Sequence, residues 1–239
     1  MKRREFLSSI AVLGVSTTLP LAKAQEVTGG QPWEPGKVDI RPLAQPRKGG
    51  LQYLTQHEFD TVGVIAERFI PADELSISGM EAGCAVFIDR QLAGDFGQAA
   101  SVYRLGRFVK GTAEQGPQEP HTPAERYRHG LAALDGATRQ QFGKKFIDLD
   151  ETQQKVVLQA MEKGQFNLGP AVETKVFFEL LLQNVREGFL ADPIYGGNKD
   201  MASWKMIGFP GARYDFRDLL SKKGQKITII PTSLIDNSL

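Results

Sequence analysis

The feature that most narrows the fold is an apolar stripe within residues 172–189. Val176, Phe177, Leu180, Leu181, Val185 and Phe189 recur at three- and four-residue spacing, which places them on one broad helical face. A face this wide needs cover from several neighbours, so the segment is expected to form the central helix of an all-α body.

The neighbours are legible as well. Thr55-Gln56-His57-Glu58 reads as a capping box, followed by Phe59, Val62, Ala66 and Phe69 until Pro71 ends the run. A second helix is expected over 80–92, with Cys84, Phe87, Ile88 and Leu92 on one face and Gly94 beyond its end. Residues 96–118 read as irregular, with a short helix around 102–109. Thr122, Pro123 and Glu125 supply an N-cap, an N1 proline and an N3 acid. The helix they open continues through Tyr127, Leu131 and Leu134, and Asp135-Gly136 is expected to end it, before a short piece over 137–145. Asp150 to Gln153 caps another helix, with Val157, Ala160 and Met161 as its apolar face. Only residues 226–230 have strand chemistry; with no local partner they either pair with a strand elsewhere or are merely extended. The expected class is a single irregular all-α domain over 51–220 with long Gly/Pro-rich loops, an extended arm over 25–50 and a tail over 221–239.

The first 24 residues read differently. Arg3-Arg4 is followed by Phe6-Leu7, a mildly apolar run over 10–21 and Ala22-Lys23-Ala24. This is the pattern of a twin-arginine (Tat) export signal with an A-x-A cleavage site, and it predicts a bacterial periplasmic destination. Its apolar run is too short to span a bilayer, and no later stretch is long and apolar enough to do so. Removing the signal takes four of the 29 basic residues and one of the 28 acidic ones, leaving 25 against 27. That balance argues against a nucleic-acid partner. Cys84 is the only cysteine, so no internal disulfide forms. It reads as a small buried hydrophobe, with a mixed disulfide to a partner as the sharper alternative.

Signs of chemistry are sparse. His57, His121 and His129 sit near helix starts, none with a second ligand at metal-binding spacing, and read as solvated surface. Dinucleotide, P-loop, nucleophile-elbow and C-x-x-C signatures are absent. No catalytic, cofactor-binding or metal-binding residue is assigned.

What stands out instead is 192–211. Asp192, Pro193, Tyr195, Gly196, Gly197, Asn198, Trp204, Gly208, Phe209 and Pro210 concentrate turn formers and aromatics directly after the apolar stripe. Asp192 is expected to cap or turn, and Asp200 to N-cap a short helix through Trp204. Two readings stay open. The aromatics pack onto their own core, or Tyr195, Trp204 and Phe209 face a partner while Gly196-Gly197-Asn198 allow close backbone approach.

The run DPIYGGNKDMASWKMIGFPG resembles the C-terminal signature of the gluconate 2-dehydrogenase subunit 3 (small, or gamma, subunit) family. Ile70-Pro71-Ala72-Asp73, Glu81-Ala82-Gly83, Gly116-Pro117-Gln118 and Thr122 to Gly130-Leu131 extend the likeness over most of 50–218. The resemblance implies a membrane-associated periplasmic complex. Its large FAD-bearing subunit oxidises gluconate to 2-ketogluconate, and a multi-haem cytochrome c passes electrons to quinone. The small subunit holds no cofactor of its own and carries the folded flavoprotein through the Tat translocon. Small subunits of this type also accompany other FAD-dependent sugar and polyol dehydrogenases, including those forming 3-keto sugars. A stand-alone periplasmic binding or chaperone protein is the alternative from another class, and a self-sufficient enzyme a third.

Overall fold

The computed structural model describes residues 49–235 except 105, 110, 116–119 and 214. The export signal at Arg3-Arg4 and residues 25–48 of the arm lie outside the described residues. Among the described residues six α-helices follow one another: α1 Gln56–Phe69, α2 Cys84–Ala93, α3 Pro123–Phe142, α4 Glu151–Glu162, α5 Thr174–Leu190 and α6 Ala202–Ile207. Short 3-10 turns fill several of the connections, and no strand occurs among the described residues. The fold is all-α, as expected.

Local chemistry fixes the helix starts. Thr55, Thr122 and Asp150 each accept a hydrogen bond from the backbone N–H three residues on, and Glu58, Glu125 and Gln153 reach back to close the box. Each box satisfies donors that the first helical turn leaves unpaired. α5 occupies the middle of the body and packs against all five other helices. Phe177, Phe178, Leu180, Leu181, Val185 and Phe189 are all buried along it. Two helical glycines admit the rings that lock it in place. A β-carbon on Gly130 of α3 would lie 2.4 Å from the Phe177 ring, and one on Gly188 of α5 would lie 2.9 Å from the Phe87 ring.

Three expectations are corrected. α2 begins at Cys84 rather than Met80, because Gly83 adopts a left-handed conformation (φ 79°) at the N-cap and the residues before it form turns. α3 does not stop at Asp135-Gly136 but runs on to Phe142, absorbing the piece expected over 137–145, and Gly143 caps it in a left-handed conformation. Asp135 stays helical because its side chain has tertiary partners: Oδ1 accepts from the Phe146 amide at 3.2 Å, and Oδ2 lies 2.6 Å from His57 Nε2. No helix forms among the described residues of 102–109, where the chain is irregular and followed by a 3-10 turn at Ala113–Gln115. Residues 226–230, which lack a second strand, take no regular secondary structure, in line with the extended reading; the one isolated bridge described pairs Thr232 with Gly211 in parallel.

Buried polar groups knit the helices together. The Asp89 carboxylate accepts from the amides of Gln52, Tyr53 and Leu54 at 2.7–2.9 Å, anchoring the chain just before α1. Arg128 joins α3 to α1 through Glu58, donates to the Tyr53 carbonyl at 2.9 Å and stacks 4.6 Å from the Tyr53 ring. Cys84 is fully buried, with its thiol 3.6 Å from the Val185 carbonyl. Burial pushes its pKa up to about 12, so the thiol behaves as a small hydrophobe.

Candidate functional site

The segment 192–211 leaves the C-terminal end of α5 and folds back as a shelf over α2 and α5. Asp192 opens it. Its carboxylate accepts from the Ile194 amide at 2.9 Å, stabilising a tight turn at Pro193–Tyr195. The same carboxylate accepts from Ser233 Oγ at 2.7 Å and from the Leu234 amide at 3.0 Å. Asp192 is thus the expected turn former and also ties down the C-terminal tail.

The two glycines make close approaches, and these are to this chain's own helices. A β-carbon on Gly197 would sit 2.0 Å from the Gly188 carbonyl oxygen of α5, and one on Gly196 would sit 2.9 Å from Val86 of α2. The shelf therefore lies backbone against helix, a contact open only to residues without a side chain. Asn198 is fully buried, donates to the Ala191 carbonyl at 2.9 Å and accepts from the Ser203 amide and hydroxyl at 3.0 and 2.7 Å. Asn198 thereby supports the start of α6, the role expected of Asp200. Asp200 is exposed and has a left-handed backbone (φ 56°), with no side-chain cap bond from it to α6. Asn198, Asp200 and Met201 all have positive φ, so the turn into α6 stores backbone strain of about 1 kcal/mol or more per residue.

The aromatics divide. Trp204 is buried, donates from Nε1 to the Leu190 carbonyl at 2.8 Å and so covers an open carbonyl at the end of α5. Phe209 stacks edge-on against it with centroids 5.1 Å apart, yet remains 44% exposed. Tyr195 is half exposed, and Met206, Ile207 and Gly208 are exposed beside Phe209. Pro210 and Gly211 meet the tail: the Thr232 amide donates to the Pro210 carbonyl at 3.2 Å, and the Ala212 amide to the Thr232 carbonyl at 2.7 Å. Gly196, Gly197, Asn198 and Trp204 are thus engaged within the chain, while Tyr195, Ile207 and Phe209 present apolar surface outward.

The histidines lie at the surface as expected, His129 exposed and His57 and His121 partly so, but each has a partner. His57 pairs with the buried Asp135, and His121 and His129 stack edge-on with centroids 4.9 Å apart. The His57–Asp135 pairing crosses 78 residues of chain, a separation that no local pattern reveals. Among the described residues no group of three His, Cys, Asp or Glu side chains is arranged to hold a metal ion. No described helix is long and apolar enough to cross a membrane.

A search of curated proteins finds no match, and neither does a search of solved structures. A family model described as gluconate 2-dehydrogenase subunit 3 matches residues 56–211, from the first residue of α1 to the glycine that pairs with the tail. That span is more than half of the chain and takes in all six helices and the shelf; the chain belongs to the gluconate 2-dehydrogenase subunit 3 family.

Proposed function

We infer that this chain is the non-catalytic small subunit of a periplasmic, membrane-associated FAD-dependent dehydrogenase complex, with gluconate oxidation to 2-ketogluconate as the reaction of the whole. The observation that carries this reading is the family match over 56–211. In the complex, FAD belongs to the large subunit and haem c to the cytochrome subunit. This chain contributes a rigid helical body and an export address. The Arg3-Arg4 signal takes the folded flavoprotein through the Tat translocon as a passenger, and the two remain associated afterwards at the inner membrane.

The shelf is the proposed contact with the flavoprotein. Its underside is fixed to α2 and α5, so Tyr195, Ile207 and Phe209 are held at little further entropic cost when a partner covers them. Exposed aromatics on a pre-organised support are the usual anchors of protein interfaces.

Two measurements test the reading. Replacing Arg3-Arg4 by Lys-Lys is expected to strand the flavoprotein in the cytoplasm; normal periplasmic levels of the flavoprotein contradict the export role. Truncating Tyr195 to Ala is expected to reduce co-purification of the flavoprotein while the urea midpoint of the chain stays put. A retained complex with a lowered midpoint shows instead that Tyr195 serves only its own fold.

A further inference from the structure

The tail beyond the family match carries an open row of backbone groups. Residues 226–230 read Lys-Ile-Thr-Ile-Ile, and their burial alternates. Ile227 and Ile229 are partly buried, while Lys226, Thr228 and Ile230 are exposed, Ile230 at 84%. Alternation with a period of two is how a strand lies on a surface. Yet among the described residues no hydrogen bond reaches a backbone amide or carbonyl of 226–230. β-branched side chains, period-two burial and an open hydrogen-bonding row together make a strand edge that lacks its neighbour.

The edge is held ready from both ends. Before it, the Gln225 amide donates to the Lys222 carbonyl at 3.0 Å, in a turn that follows the 3-10 helix Arg217–Lys222. After it, the Thr232 amide donates to the Pro210 carbonyl at 3.2 Å and the Thr232 carbonyl accepts from the Ala212 amide at 2.7 Å. Asp192 holds Ser233 and Leu234 beyond that. Fixing the two ends lowers the entropy that pairing has to overcome. Pro231, which has no amide proton, bounds the open row on its C-terminal side.

We propose that 226–230 pairs with an extended segment of the flavoprotein subunit, adding a strand contact beside the shelf; this rests on the reading of the chain as that flavoprotein's partner. Recognition is by main chain, with the exposed Thr228 and Ile230 offering β-branched surface to alternate side chains of the incoming strand. The edge is continuous with the shelf, because Thr232, just past Ile230, bonds to Pro210 beside Phe209. That continuity favours the shelf's partner over a second copy of this chain. A short two-stranded pairing is marginal by itself in water. A protein already seated on Tyr195, Ile207 and Phe209 instead presents its strand at high effective concentration.

Hydrogen exchange on the whole chain, alone and bound to the FAD-loaded flavoprotein subunit, tests this. The amides of 226–230 are expected to exchange at open-chain rates in the free chain and at least about tenfold more slowly in the complex. Successive residues of a strand bond to opposite edges, so only alternate amides meet the partner. Thr228→Pro and Ile229→Pro each delete one amide donor. One of the two is therefore expected to weaken binding by at least about tenfold and the other by less than about threefold. Unprotected amides in a complex that forms, or effects of equal size in both variants, overturn the pairing and leave the partner reading intact. Protection in the free chain that rises with its concentration overturns the flavoprotein as occupant and assigns the edge to a second copy. A wild-type chain that does not bind the flavoprotein overturns both.

Discussion

The carbonyl oxygen of Gly188 lies 2.0 Å from where a β-carbon on Gly197 would be. The loop that follows the central helix is thus pressed onto that helix backbone to backbone. Gly197 is not in the left-handed region, so steric contact alone excludes a side chain there. Gly197→Ala is expected to lower stability by about 3 kcal/mol, the upper end of overpacking costs. A urea midpoint equal to wild type contradicts the arrangement.

Two glycines of α3 make a paired prediction. A β-carbon on Gly130 meets the Phe177 ring at 2.4 Å, whereas one on Gly136 meets nothing within 4 Å. Helix propensity alone favours alanine at both positions by about 1 kcal/mol. Gly136→Ala is therefore expected to raise the thermal midpoint and Gly130→Ala to lower it. Shifts of the same sign in both variants sink the claim that Gly130 exists to admit the ring.

Asp192 holds the tail through Ser233 and Leu234. Asp192→Ala removes the acceptor of both bonds and of the turn at Ile194, with a loss of about 1–3 kcal/mol. Hydrogen exchange at the Leu234 amide is expected to approach the rate of an open chain. Persistent protection there means that something other than Asp192 fixes the tail.

Cys84 sets an alkaline limit. Its folded pKa of about 12 stands above the ordinary thiol value of 9.0 because the buried thiolate is poorly solvated. Between those values the unfolded chain gives up its proton first, so the folded state binds more protons and stability falls as pH rises. The contribution is whole below pH 9 and is lost progressively from there to about pH 12. Tyr127, fully buried, is shifted upward by the same cause and adds to the slope at higher pH. Cys84→Ala is expected to be less stable at pH 7, from the lost packing, and to show a shallower decline between pH 8 and pH 10.5. An unchanged slope removes Cys84 as the source.

The readable parts of this fold were those set by near neighbours. Three capping boxes span four residues each and fixed their helix starts, and the stripe from Val176 to Phe189 identified the central helix by its breadth. What escaped depended on distant partners. Asp135 reads locally as a terminator, but its carboxylate is taken by Phe146 and His57, so the helix continues through it. Asp200 and Asn198 are equally good caps on paper; burial beneath the shelf gives Asn198 the role. Residues 226–230 have β-branched chemistry that leaves strand and extended chain equally open; without a second strand they stay irregular, and the tail bonds at Thr232. At the shelf, composition identified a shaped loop but could not separate Trp204, which turns inward, from Tyr195 and Phe209, which keep apolar surface outward.

Membership of the family implies that this helical subunit works as part of a redox assembly. Isolation of the native complex from the membrane fraction through a tag on this chain, followed by one absorbance spectrum, addresses it most directly. A flavoprotein and a cytochrome c are expected in the eluate, with flavin and haem bands together. Recovery of the chain alone, colourless and without a companion subunit, contradicts it.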